Sequence, residues 1–139
     1  MLINLRDMLH YAEEKNIAVP SFNVYNVESV QAVWQAATKK DSPVIIAFGE
    51  SYDSHMPIES AAALILSYVR DAQLPVVLHL DHCRSQRNIL RALRAGFTSV
   101  MFDGSAKPLA DNIEDTKAIV RMAHDIHVSV EGDLVYLIE

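Results

Sequence analysis

Half of the 139 residues are hydrophobic, with only four glycines and five prolines, a balance that suits one soluble globular unit and excludes a disordered tail. Twelve basic against 18 acidic residues leave a formal charge of −6, which excludes the broad basic field that non-specific nucleic-acid binding needs, although local amides and cations can still hold a small phosphate. A single cysteine, Cys83, excludes an internal disulfide; with no signal-like opening and no membrane-length apolar run, a cytoplasmic protein without a membrane partner is expected.

Short apolar runs rich in β-branched residues alternate with stretches of helical spacing. Leu5 to Lys15 is predicted helical, capped by Asn4, and the first strand is predicted over Ile17 to Phe22. Val27, Val30, Val33, Trp34 and Ala37 then form one helical stripe. A strand follows over Val44 to Phe48, and a helix over Ala61 to Val69 is entered through Pro57 with Glu59 in its first turn. The third strand is predicted over Val76 to Leu80. Ser85 caps the next helix and Gly96 stops it, with Ile89, Leu90 and Leu93 inward and Arg87, Arg91 and Arg94 outward. After a strand over Ser99 to Phe102, Asp111 starts a helix with Ile113, Val120 and Ala123 inward, and Val128 to Val130 is the last strand. Helix followed by β-α-β-α-β-α-β-α-β implies a parallel sheet. A doubly wound open sheet and a (β/α)8 barrel both fit; barrels run to about 250 residues, so this chain could supply roughly half of one.

Polar residues follow each apolar run: Asn23, then Gly49-Glu50-Ser51, Asp81-His82, Asp103-Gly104-Ser105 and Glu131-Gly132-Asp133. Parallel α/β folds gather the carboxyl ends of their strands on one rim, where such groups converge. An acidic cluster there is costly to bury unless it holds a cation or moves protons. Helix capping alone explains Ser51 and Ser105, and extends to Asp103. It explains Asp81 poorly, because His82, Cys83 and Arg84 still precede the cap at Ser85. His79 shares a strand face with Asp81 and is read as a hydrogen-bonded supporting residue. His124 and His127 are read as a solvated helix end, and His10 and His55 have no identifiable partner. Met8, Met56, Met122 and Trp34 are expected in the core, and Cys83 is expected to be buried and inert.

Several segments in order resemble the class II, zinc-dependent ketose-bisphosphate aldolases, a family that includes fructose- and tagatose-bisphosphate aldolases. Val19-Pro20-Ser21-Phe22-Asn23-Val24-Tyr25-Asn26 resembles the family's A-F-N-x-x-N opening, and Ser42-Pro43-Val44-Ile45-Ile46 its second strand. Leu78-His79-Leu80-Asp81-His82 is similar to its L-H-L-D-H signature. Gly96 to Ser105 resembles G-F-T-S-V-M-x-D-G-S, and Val128 to Leu134 resembles V-S-V-E-A-E-L. Asn112, Thr116-Lys117 and Ala123-His124 also fit.

The resemblance implies the N-terminal part of a single (β/α)8-barrel domain over residues 1–139, with an N-terminal helix, five parallel strands and four further helices. It implies reversible aldol cleavage of a ketose 1,6-bisphosphate to dihydroxyacetone phosphate and glyceraldehyde 3-phosphate, with Zn2+ as Lewis acid. Asp81 would move the proton at the aldehyde oxygen and His82 would bind the catalytic zinc. Asp103, Asp133 and Glu131 would hold metal, including a second divalent or monovalent cation, and Asn23 and Ser51 would contact substrate. A homo-oligomer is implied for the full-length form. Three departures stand out: Cys83 replaces a usual Gly, Gly49 a common Ser, and Asp133 a Glu. The family's other zinc histidines, its general base and its phosphate-binding turns lie beyond Leu134, so a truncated chain with little activity of its own is expected. The alternatives are an inactive half barrel kept as a binding or assembly module, a decayed gene product, or an unrelated phosphate-binding barrel or open-sheet protein.

Overall fold

The computed structural model describes residues 1–134. Helix α1 (Leu5–Lys15) precedes five β-strands, β1 (Ser21–Asn23), β2 (Val44–Gly49), β3 (Val76–Cys83), β4 (Ser99–Asp103) and β5 (Ser129–Asp133). Between them lie α2 (Val27–Lys40), α3 (Ile58–Val69), α4 (Gln86–Ala95) and α5 (Leu109–His124), with a short 3-10 turn, Glu50–Tyr52, after β2. The strands lie side by side in chain order and every pairing is parallel. A doubly wound sheet reverses its strand order at a switch point. This sheet never does; it advances in one direction as a partial (β/α) barrel, open between β5 and β1 among the described residues.

Strand alternation sorts side chains onto two faces. Val44, Ile46, Phe48, Val76, Leu78, Leu80, Val100 and Phe102 face the helices and pack with Ala61, Ile65, Ile89 and Ile119 in the main core. The opposite face starts apolar and becomes polar. At its base Ile45 and Val77 pack with Met8 of α1, with Ile3, Leu5 and Val19 around them. This explains the extra N-terminal helix: it covers one end of the sheet's inner face. The chain start is tied down as well, since the Met1 ammonium donates to the Ala72 and Leu74 carbonyls.

Most predicted ends are built as their chemistry suggests. Asn4 Oδ1 accepts from the Asp7 amide at 2.9 Å, Ser85 Oγ from the Asn88 amide at 3.3 Å, and Gly96 leaves α4 in the left-handed region at φ 96°. The first strand differs from expectation. It is confined to Ser21–Asn23 because Asn16 turns left-handed, Ile17 closes the end of α1 through the Ala12 carbonyl, and Pro20 has no amide to donate. Leu90 and Ile113, expected inward, are exposed, as is Met122, expected in the core. The buried face of α5 is Asn112, Ile119 and Ala123; Ile113 stands one residue, about 100°, off that line.

Candidate active site

The polar part of the inner face lies in rows. Asn23, Ala47, His79, Ser99 and Ser129 are register partners across all five strands, and Asp103 pairs with Asp133 nearer the rim. His79 is buried, its Nδ1 sharing a 2.9 Å hydrogen bond with Ser99 Oγ. Burial lowers its pKa, with the Asp81 charge opposing, so the ring is neutral in neutral solution. Its Nε2 lies 3.6 Å from Glu131 and 4.0 Å from Asp81, contacts too long for hydrogen bonds. His79 is the supporting residue that its strand position suggests.

Above it, β3 breaks its alternation. Leu80 pairs with Val100 but Cys83 pairs with Phe102, so β3 carries one residue more than β4 between the two pairings. The surplus is a β-bulge, a device that re-aims side chains at a strand end. His82 sits in it at φ 47°, in the left-handed region that few non-glycine residues adopt. The side chain of Asp81 is largely buried, and its Oδ2 accepts from Asn23 Nδ2 at 2.9 Å. His82 follows immediately and faces β4, its Nδ1 3.9 Å from Asp103 Oδ2.

Asp103 is buried. Its Oδ1 accepts from the Ser105 amide at 3.2 Å, and its Oδ2 accepts from Arg84 Nε at 2.8 Å. Burial pulls its pKa up, but Ser105 and Arg84 together hold it below the ordinary aspartate value. Asp133 is fixed through its backbone, where the carbonyl accepts from Asn112 Nδ2 at 2.8 Å. That buried amide explains Gly104: a Cβ there would meet Asn112 Oδ1 at 2.1 Å. Glu131 sits one pleat below Asp133; burial raises its pKa, with the Asp81 charge adding to the effect.

One ligand atom each from His82, Asp103 and Asp133 lies within 4.8 Å of the other two. One imidazole and two carboxylates from three neighbouring strand ends form a donor set suited to a borderline divalent cation such as zinc, whose catalytic sites use three protein ligands and keep a fourth position open. The donor set therefore fits a cation, which would displace the Arg84 guanidinium now on Asp103 Oδ2 at 2.8 Å.

Not every expected site residue joins them. Glu131 is not one of the three donors; it belongs to a lower row, where its Oε2 lies 3.6 Å from His79 Nε2. Ser51 caps no helix; it lies exposed in the 3-10 turn, and the amide of Ile58 in the first turn of α3 instead donates to Asp53 Oδ1. His10, His55, His124 and His127 are all exposed. Cys83 is fully buried, and burial together with the nearby Glu50 carboxylate pushes its thiol pKa up, which makes it inert. Sequence reasoning placed Glu50 after the second apolar run without giving it a role, and assigned none to Arg84 or Asn88. Glu50 directly follows an apolar run, and that position was the available signal.

The family model for "Fructose-bisphosphate aldolase class-II" matches residues 3–137. The chain belongs to the class II fructose-bisphosphate aldolase family. It is 36% identical over 132 residues to the sulfofructosephosphate aldolase of Alkalicoccus urumqiensis, covering 95% of this chain and 46% of that protein. It is 38% identical over 136 residues to a probable fructose-bisphosphate aldolase of Bacillus subtilis strain 168, covering 96% and 48%. Among solved structures, the YdjI aldolase of Escherichia coli K12 superimposes with a TM-score of 0.90 at 36% identity, covering 96% of this chain and 51% of that one. The chain thus spans about half the length of the relatives it matches.

Proposed function

We propose that residues 1–139 form the N-terminal part of a single class II aldolase domain, and that the complete protein performs reversible, metal-dependent aldol cleavage of a phosphorylated ketose. The observation that carries this reading is the convergence of His82, Asp103 and Asp133 beside the Asn23–Asp81 pair on one strand-end rim. His82, Asp103 and Asp133 would hold Zn2+, and Glu131, one row below them, would serve a second cation. When bound, zinc supplies Lewis acidity that stabilises negative charge developing at the ketose carbonyl. Asp81 takes the proton from the hydroxyl that becomes the aldehyde as the C3–C4 bond breaks, and returns it in the condensation direction. Asn23 keeps the Asp81 carboxylate aimed at that hydroxyl, and Asn23 and Ser51 line the substrate's side of the rim. A ketose 1,6-bisphosphate yields dihydroxyacetone phosphate and glyceraldehyde 3-phosphate. The homo-oligomer and the cytoplasmic location stay part of this proposal.

The names of the two curated relatives share a phosphorylated ketose and differ in a sulfo group. Fructose 1,6-bisphosphate, tagatose 1,6-bisphosphate and sulfofructose phosphate are therefore the substrates to compare. In the complete protein, Asp81→Asn is expected to lower kcat by about 10²–10⁴-fold with little change in KM, read by coupled triose-phosphate release. Turnover equal to the parent's contradicts the assignment.

A further inference from the structure

Glu50 lies outside the three-donor group, yet it is bonded to the segment that presents His82. It is the first residue after β2, in the 3-10 turn. Its Oε2 accepts from the Arg84 amide at 2.9 Å, its Oε1 accepts from Asn88 Nδ2 at 2.8 Å, and the Cys83 thiol lies 3.2 Å from Oε1. One carboxylate thus gathers two consecutive residues of the β3 end and the first turn of α4. A carboxylate is suited to this because it only accepts and has about four lone-pair directions.

These contacts fall immediately after the bulge. His82 holds a left-handed φ of 47°, and the strand regains its register at Cys83. Such a conformation persists only where the surroundings over-determine it. On the N-terminal side Asp81 is held by Asn23; on the C-terminal side Glu50 holds Cys83 and Arg84. By fixing the Arg84 backbone, Glu50 also sets the origin of the guanidinium that meets Asp103.

We infer that Glu50 is a positioning residue for His82: it locks the left-handed bulge that turns the imidazole toward Asp103 and Asp133. The inference rests on reading those three residues as a cation site. The Glu50 carboxylate acts through backbone geometry and touches neither cation nor substrate. Cys83 takes part as a hydrogen-bond partner of Glu50.

The test uses the complete protein and its Glu50→Ala and Glu50→Gln variants. In the metal-free state, amide exchange at Arg84 and the imidazole nitrogen shifts of His82 are measured by NMR. Zn2+ affinity is then measured by chelator competition, and the Co2+ form by its ligand-field absorption. Glu50→Ala is expected to lose Arg84 amide protection, shift the His82 signals and weaken Zn2+ binding about ten- to a hundredfold. Glu50→Gln keeps a carbonyl acceptor for the Arg84 amide and is expected to recover most of all three. Should Glu50→Ala not fold, Glu50→Asp takes its place, one methylene too short to reach. Parent-like exchange, shifts and affinity in Glu50→Ala overturn the inference, and so does a Gln variant as damaged as the Ala variant. If the parent binds no metal ion, the cation reading fails, while the two metal-free readouts still decide the role of Glu50.

Discussion

At the scale of single residues, the site depends on a few positions where the backbone has no freedom. Gly104 follows Asp103 and leaves room for the Asn112 amide, which in turn holds the Asp133 carbonyl. Gly104→Ala is expected to destabilise the protein by about 1–3 kcal/mol, because Asn112 is buried and cannot withdraw without abandoning that bond. Thermal melting checks this, and Asn112→Ala combined with Gly104→Ala should recover part of the loss. Parent-like melting of the single variant contradicts the close approach. The placement of Asp81 and His82 at the strand-end rim was legible from sequence because an acid and an imidazole stand ahead of the helix cap at Ser85. The bulge that re-aims His82 was not, since strict alternation would have sent it to the opposite face from Asp81.

At the scale of elements, α3 and α4 are joined by an ion-pair clamp. Arg91 of α4 donates to both Asp53 oxygens, at 2.6 and 3.0 Å, and to both Glu59 oxygens, each at 2.7 Å. Arg91, expected to point outward, is instead half-buried in this fork. The Arg91 hydrogen bond is the main cause that holds Asp53 below the ordinary aspartate value of 3.8, with burial opposing. A depressed carboxylate contributes stability above its unfolded pKa, and that contribution is lost as pH falls through the lower folded value. Melting temperature should therefore drop on the acid side, below about pH 4, and Asp53→Asn should flatten that drop. A double-mutant cycle between Asp53→Asn and Arg91→Met is expected to give a coupling of about 1–2 kcal/mol. A coupling near zero contradicts the clamp. The helices themselves were readable from caps and spacing, whereas the fork spans 38 residues and joins charges whose partners no local pattern identifies.

At the scale of the whole molecule, alternation of strands and helices left two architectures open, and the strand order decides between them. All five strands run in sequence without a switch point, which places Asn23, Asp81, His82, Asp103 and Asp133 along one continuous rim. The same geometry leaves the outer edges of β1 and β5 without a strand partner among the described residues. Unpaired edges recruit other chains. The isolated 139-residue polypeptide is expected to associate with increasing concentration in sedimentation velocity. A strictly monomeric chain across the accessible range contradicts an accessible edge.

Crystals of the protein soaked in Zn2+ and measured across the zinc edge test the metal assignment most directly. One anomalous peak is predicted, about 2.0–2.2 Å from a ring nitrogen of His82 and from carboxylate oxygens of Asp103 and Asp133, with Arg84 turned away from Asp103. A peak confined to His124 and His127, or no peak while the three side chains keep their present arrangement, contradicts it.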